Sequence, residues 1–221
     1  MTDSSPVLGV DVGGTFTDVA LLADGDLTTA KVATTPEAQE RGVARAIDHA
    51  CDLAGVDPAA SADFRHASTV ATNALLERAG ATTALVTTAG FADVLAIGRQ
   101  DRPDLYDHSA TRPDPLVSAE RRLEIDERAT PDGVEDPVAE ADLDALVGQL
   151  EGLTDSGAPG EESADPVESV AVSLLHAYAD PTNEERVAAR LREDLDVPVS
   201  VSQEVLGTFR EYERTATTVA D

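Results

Sequence analysis

From Asp11 to Asp18 the chain reads Asp-Val-Gly-Gly-Thr-Phe-Thr-Asp, a carboxylate closing an apolar run, two glycines, then alternate hydroxyls. A tight turn needs the glycines but not Asp11, Thr15 or Thr17. A turn that receives a phosphate and its metal ion uses all of them. Backbone amides near Gly13, Gly14 and Thr15 would hold the anion, with glycine allowing positive φ and close approach. The Thr15 and Thr17 hydroxyls would donate beside them. Asp11 would hold Mg²⁺ through water, because Mg²⁺ keeps much of its hydration. A plain glycine hairpin is the competing reading.

A second group follows a short strand and opens a helix: His66, Thr69, Thr72 and Asn73. Helix amides and side chains converge at such a junction, which suits an anion. His66 also reads as a half-buried histidine, and Asn73 as a partner of the helix start. Arg99 and Arg102 suit a carboxylate or phosphate, or serve as surface partners of Asp101 and Asp104. His49, His108 and His176 show no metal-ligand spacing.

The elements that must position these groups are legible in outline. Val7–Val12 reads as a strand buried on both faces, and Asp18–Ala23 and Leu27–Thr34 as strands around an Asp-Gly hairpin turn. Thr35 suits an N-cap and Pro36 the first helical position, with Val43, Ala46, Ile47, Ala50, Cys51 and Ala54 on one face and Gly55 as the stop. Strand, helix, strand follow over Phe64–Thr69, Val70–Gly80 and Thr83–Gly90. Ile97–Pro115 reads as a long loop, Arg121–Arg128 as a strand, and Leu143, Leu146, Val147 and Leu150 as a helix face. Gly133 reads as a turn, and Gly152–Glu168 as an acidic, flexible excursion. Ser169–Tyr178 begins as a strand, Val187, Leu191 and Leu195 mark a helix, Val197–Ser202 a strand, and the last residues a helix.

Composition bounds the setting. Of the 16 basic residues in 221, only Lys31 is lysine, and the net charge is −27. Such self-repulsion loosens a compact fold at low salt and fades as the Debye length shrinks toward about 3 Å at 1 M, which reads as adaptation to a salt-rich cytoplasm. The sign disfavours nucleic acid. No apolar run has the length of a membrane span, and no secretory leader is visible, so a soluble cytoplasmic protein is expected. The single Cys51 excludes a disulfide framework and reads as a buried, inert thiol.

The Asp11–Asp18 turn resembles the first phosphate loop of the actin, sugar-kinase and chaperone ATPase superfamily. The stretches His66–Asp107 and Glu204–Asp221 resemble the hydantoinase A/5-oxoprolinase family, which includes subunits of acetone-type carboxylases. The resemblance implies a ribonuclease H-like (actin-like ATPase) α/β lobe, a mixed sheet flanked by helices, carrying the acidic excursion 152–168. The whole of 1–221 would form that lobe: 6–34 the phosphate-loop hairpin and third strand, 35–202 the remainder, and 203–221 the start of a connection to a second lobe. It implies ATP and Mg²⁺ as cofactors, with Asp11, His66, Thr69 and Asn73 catalytic, Asp11 the metal ligand, and Gly13, Gly14, Thr15 and Thr17 on the phosphates. The activity implied is ATP-dependent opening of a cyclic amide or imide, hydantoin or 5-oxoproline, through carbonyl phosphorylation. A sugar-kinase-like phosphotransferase lobe, a silent binding or assembly lobe and a subunit acting on a ketone remain open. His66-Ala67-Ser68-Thr69 stands where the family shows His-Gly-Thr-Thr, so Ala67 removes a close backbone approach. No second Asp-Gly-Gly turn follows an apolar strand, so a complementary C-terminal lobe or partner subunit is expected.

Overall fold

A computed structural model describes residues 5–35, 38–61, 63–107, 109–154 and 165–221. The chain forms two compact units, 1–80 and 81–221.

In unit 1, β1 (Val7–Val12), β2 (Phe16–Ala23) and β3 (Asp26–Ala33) make an antiparallel meander. Asp24 and Gly25 take φ of 52° and 89° in the β2–β3 turn, as an Asp-Gly hairpin requires. Helix α1 (Gln39–Ala54) crosses over to β4 (Asp63–Ser68), which runs parallel to β1, and α2 (Val70–Glu77) follows. The strand order is β3-β2-β1-β4, a mixed sheet in which β4 alone runs parallel to its neighbour.

The strands of this sheet alternate. Leu8, Val10, Val12, Val19 and Leu21 are buried with Ala46, Ala50 and Cys51 of α1, each large aliphatic contributing about 1.5–3 kcal/mol. Gly9 and Asp11 lie on the other face, and Asp11 is exposed. The expectation of a strand buried on both faces is therefore corrected: β1 is half-buried, with α1 covering one face of the meander. Helix α1 ends at Gly55 with φ 68°, as expected. Its start is corrected, since Thr35 Oγ1 donates to the Ala38 carbonyl (2.7 Å) instead of capping, and the helix begins at Gln39. Pro36 and Glu37 lie outside the described residues. Cys51 is buried, and burial, with Asp48, Asp52 and Asp57 nearby, raises its pKa. The inert thiol is what such a site produces.

Unit 2 is built on a parallel sheet of order β10-β9-β5-β6, from β5 (Thr83–Thr88), β6 (Arg122–Ile125), β9 (Ser169–Ser173) and β10 (Val199–Val201). A short helix α3 (Val94–Ile97) follows β5, and a small hairpin of β7 (Arg128–Thr130) and β8 (Gly133–Asp136) follows β6. Helix α4 (Glu140–Thr154) precedes β9, and α5 (Thr182–Asp194) precedes β10. The chain closes with α6 (Ser202–Val205) and α7 (Glu211–Ala220). Ala84, Val86, Val170 and Val172 pack with Leu143, Leu146 and Leu150 of α4 and Leu191 of α5, while Leu85 and Ala171 pack with Val219 of α7. Both faces are covered, as a parallel sheet demands.

Three expectations change here. The strand anticipated over 121–128 ends at Ile125, because Glu127 turns inward and is buried. Gly133, expected as a turn, opens β8 at φ 132° and pairs with Thr130, the turn itself falling on 131–132. The excursion is shorter than expected: 152–154 continue α4, and Val167 joins the core. Residues 155–164 lie outside the described ones.

Candidate functional site

The glycine turn of unit 1 is braced from within. The Gly13 amide donates to the Phe16 carbonyl (2.9 Å), and the Thr34 amide to the Thr15 carbonyl (3.0 Å). Thr34 Oγ1 donates to the Gly13 carbonyl (2.8 Å) and pairs with Thr17 Oγ1 (3.0 Å). Thr17 is fully buried, so its hydroxyl supports the turn from below and presents nothing to a ligand. That corrects its expected place on the phosphates. The alternation Thr17-Val19-Leu21 on the core face was the signal that located it. Gly42 of α1, which sequence reasoning passed over, makes room for this brace: a Cβ there would stand 2.9 Å from Thr35 Oγ1 and 3.8 Å from Thr17 Oγ1.

The glycines serve a different purpose from the one expected. Neither Gly13 nor Gly14 has positive φ. A Cβ on Gly13 would stand 3.0 Å from the Phe16 carbonyl oxygen, tighter than most real contacts, so glycine permits the close turn. The Gly13 amide is consumed by that turn. The amides of Gly14 and Thr15 have no backbone acceptor among the described residues, and both residues are exposed. They are the two donors left for an anion.

The start of α2 comes to this turn. The Thr69 amide donates to the Val12 carbonyl (3.0 Å), stitching the helix start to the end of β1. From Gly13, the position of a Cβ lies 3.8 Å from Thr69 Oγ1; from Gly14, 3.5 Å from Asn73 Nδ2. Ser68 Oγ accepts from the Val70 amide (3.3 Å), so Ser68 takes the capping work and Thr69 makes no side-chain cap. The two segments expected to share a site are thus adjacent, with the Thr69 hydroxyl and Asn73 amide beside the glycines.

Asp11 sits at the open end of β1, directly opposite Asp18 on β2 and Ala67 on β4. Like charges directly opposite on a sheet repel. Lys31 relieves this by binding Asp18 (2.6 Å) while lying 5.0 Å over the Phe16 ring. Asp11 itself makes no hydrogen bond or ion pair among the described residues. It lines a shallow cavity of about 410 Å³ with Gly9, Asp18, Arg65, His66 and Ala67. His66 is exposed and stacks on Phe64 (6.5 Å between ring centroids); the register pairs it with Val10, so its ring leaves the sheet on the face opposite Asp11. No group of three His, Cys, Asp or Glu suited to a metal occurs among the described residues. A Mg²⁺ here would rest on Asp11, water and phosphate oxygens, the usual ligand set of that ion. An unpaired carboxylate followed three residues on by two unpaired amides is a donor set that suits a metal-bound polyphosphate.

Arg99 and Arg102 lie in unit 2. Arg99 pairs with Glu213 (2.8 Å), not with Asp101 or Asp104. Asp104 instead accepts the Tyr106 and Asp107 amides, Tyr106 first, which hold its carboxyl below the usual range. No described helix is long and apolar enough to cross a membrane.

Comparison with known proteins gives the family. Caprolactamase subunit alpha of Pseudomonas jessenii is 34% identical over 97% of the present chain, which spans 30% of that relative. The 5-oxoprolinase of Saccharomyces cerevisiae is 32% identical over 97% of the chain, which spans 19% of it. Among solved structures, acetone carboxylase in its nucleotide-free form superposes with a TM-score of 0.81 at 26% identity, covering 97% of this chain and 31% of that one. The chain therefore spans about a third or less of each of these proteins. Residues 7–195 match the family described as the hydantoinase/oxoprolinase N-terminal region, and the chain belongs to that family.

Proposed function

We propose that this chain supplies the phosphate-binding part of an ATP-dependent enzyme that opens a cyclic amide or imide. One observation carries the reading: the Gly14 and Thr15 amides are free at a turn that adjoins the α2 start with Thr69 and Asn73, and the turn follows directly on the strand that carries Asp11, a carboxylate unpaired among the described residues. In this assignment Asp11 holds Mg²⁺ through water, and Gly14 and Thr15 donate to phosphate oxygens. Thr69 and Asn73 orient the phosphates, with Thr34 and Thr17 keeping the turn rigid. ATP supplies a phosphoryl group that turns a poor carbonyl electrophile into one with a good leaving group, a reaction governed by positioning and charge. His66 stands on the neighbouring strand in register with Val10, its ring on the sheet face opposite Asp11, so it is assigned no step here. The likeness to acetone carboxylase supports a second reading, in which a ketone is the activated carbonyl.

The complementary part of the enzyme is supplied by further chain or a partner subunit. The test is phosphate release with that part present, dependent on 5-oxoproline or a hydantoin. Release that ignores every cyclic amide but follows a ketone and bicarbonate favours the carboxylase reading. Release that requires a sugar contradicts both. The carboxylate excess (net charge −27) is proposed as salt adaptation in a cytoplasmic protein. Its thermal midpoint should rise from low to molar KCl as screening relieves repulsion, and a flat or falling midpoint contradicts it.

A further inference from the structure

Unit 2 contains a cavity of about 520 Å³ framed by α3, by segments 98–103 and 112–116, and by α7. That volume lies in the range of small-molecule sites, about 300–1,000 Å³. Leu95, Ile97, Leu116 and Tyr212 give it apolar walls. Gly98, at φ 56°, passes beneath the Tyr212 ring, where a Cβ would meet Cε2 and Cζ at 3.7 Å.

Three arginines line the same cavity, and only one is fully engaged. Arg112 donates from Nε to the Asp101 carbonyl (3.1 Å) and from Nη1 to the carbonyls of Ala96 (3.2 Å) and Ile97. It pins the two segments to the end of α3 and shapes the wall. Arg99 uses Nε on Glu213, and its Nη groups have no acceptor among the described residues. Arg102 has no hydrogen bond or ion pair among the described residues, in a chain with 43 acids. Asp101 and Asp114 also line the cavity and Glu213 holds Arg99, so three carboxylates stand against the three arginines. Without a surplus of positive charge, the site disfavours a phosphate dianion more than a monoanion. A guanidinium also offers paired donors in the plane of a carboxylate.

We infer that this cavity binds a small monocarboxylate, with its compact body against Leu95, Ile97 and Tyr212 and its carboxylate on Arg102 and the free Nη groups of Arg99. For an enzyme of the proposed kind this selects ring substrates that carry a carboxylate over those that do not, and in that one respect it rests on the reading above.

The test is calorimetric titration of the chain with 5-oxoproline, with pyrrolidinone (the same ring without the carboxylate) and with inorganic phosphate. Expected is a preference of about tenfold or more for 5-oxoproline over the other two, weakening as salt screens the exposed guanidinia. Arg102→Met, which removes no internal contact, should cut that affinity about tenfold without moving the thermal midpoint. Ala216→Leu, which fills the cavity from α7, should do the same. Equal binding of both rings, tighter binding of phosphate, no binding, or binding untouched by both variants overturns the inference. Mg-ATP binding is an independent readout. Its loss with 5-oxoproline still bound fails the proposed function and leaves this site standing.

Discussion

In unit 2 the charged groups that enter the core are matched nearly atom for atom, whereas in unit 1 Asp11, near the end of β1, has no side-chain partner among the described residues. Glu184 accepts from the Leu174 amide (2.9 Å), the Ser202 hydroxyl (2.6 Å) and the Gln203 amide (3.0 Å). Glu127 takes the Thr88 hydroxyl and Asn183 Nδ2. Arg214 reaches the Leu174 and Thr208 carbonyls (2.8 and 3.0 Å). Burial makes each of these bonds obligatory, so these residues fix the loops beyond β5 and β9. In unit 1 the buried Thr17 is spent in the same structural way, while Asp11 and the Gly14 and Thr15 amides are left to solvent. A charged residue's type says little about its role. Whether its bonding capacity is already used says much more.

That contrast can be broken most forcefully in unit 2. Arg214→Met strips the buried Leu174 carbonyl and the half-buried Thr208 carbonyl of their donor and removes the cation near Glu184 and Glu211. It should cost about 3 kcal/mol or more in urea unfolding. A loss near zero would mean that the network is not structural.

Glu184 sharpens the comparison through pH. Burial raises its pKa above the usual value, against the opposing pull of Ser202, Leu174, Gln203 and Arg214. A carboxyl with a raised folded-state pKa stabilises fully below its unfolded value, about 4.3, and loses that contribution as pH rises through the folded value. Wild type should therefore lose stability relative to Glu184→Gln as pH climbs from about 4 toward neutrality. Parallel curves for the two proteins would contradict this. Glu211, also raised by burial and facing Arg214 and His176, remains in both and cancels in the difference.

The smallest of these effects lies in unit 1. Gly42→Ala gains helix propensity, up to about 1 kcal/mol, but forces Thr35 away from a Cβ at 2.9 Å. The net expected is a loss of about 1 kcal/mol in thermal unfolding, with the turn loosened. A more stable variant would show that the Thr17–Thr34 brace tolerates displacement.

Much of the fold was legible because its signals are local. The Asp24-Gly25 turn, the Gly55 helix stop and the apolar runs of β5 and β9 each declare themselves within a few residues. The β7–β8 hairpin was not legible, since strands of three and four residues give no period to read. Buried Glu127, Glu184 and Arg214 were missed for a related reason. Their partners lie up to 56 residues away, and a charge in sequence reads as surface. At the candidate site, the adjacency of the Gly13-Gly14 turn to Thr69 and Asn73 was anticipated. The brace by Thr34 and the loss of Thr17 to the core depend on the register of β2 with β3, which pairs Thr17 with Val32 just before Thr34.

The central claim is that the unspent groups of unit 1, Asp11 first among them, receive a metal-bound polyphosphate. Its most direct measurement is calorimetric titration of Mg-ATP into the chain and into Asp11→Asn, with thermal unfolding of both as control. Asp11 is exposed and unpaired, so the substitution should leave the midpoint unchanged, as surface changes outside special contacts do. The account predicts weak, Mg²⁺-dependent binding by the wild-type chain and none by the variant. Equal binding by both proteins, or binding indifferent to Mg²⁺, would contradict it and leave the glycine turn a hairpin.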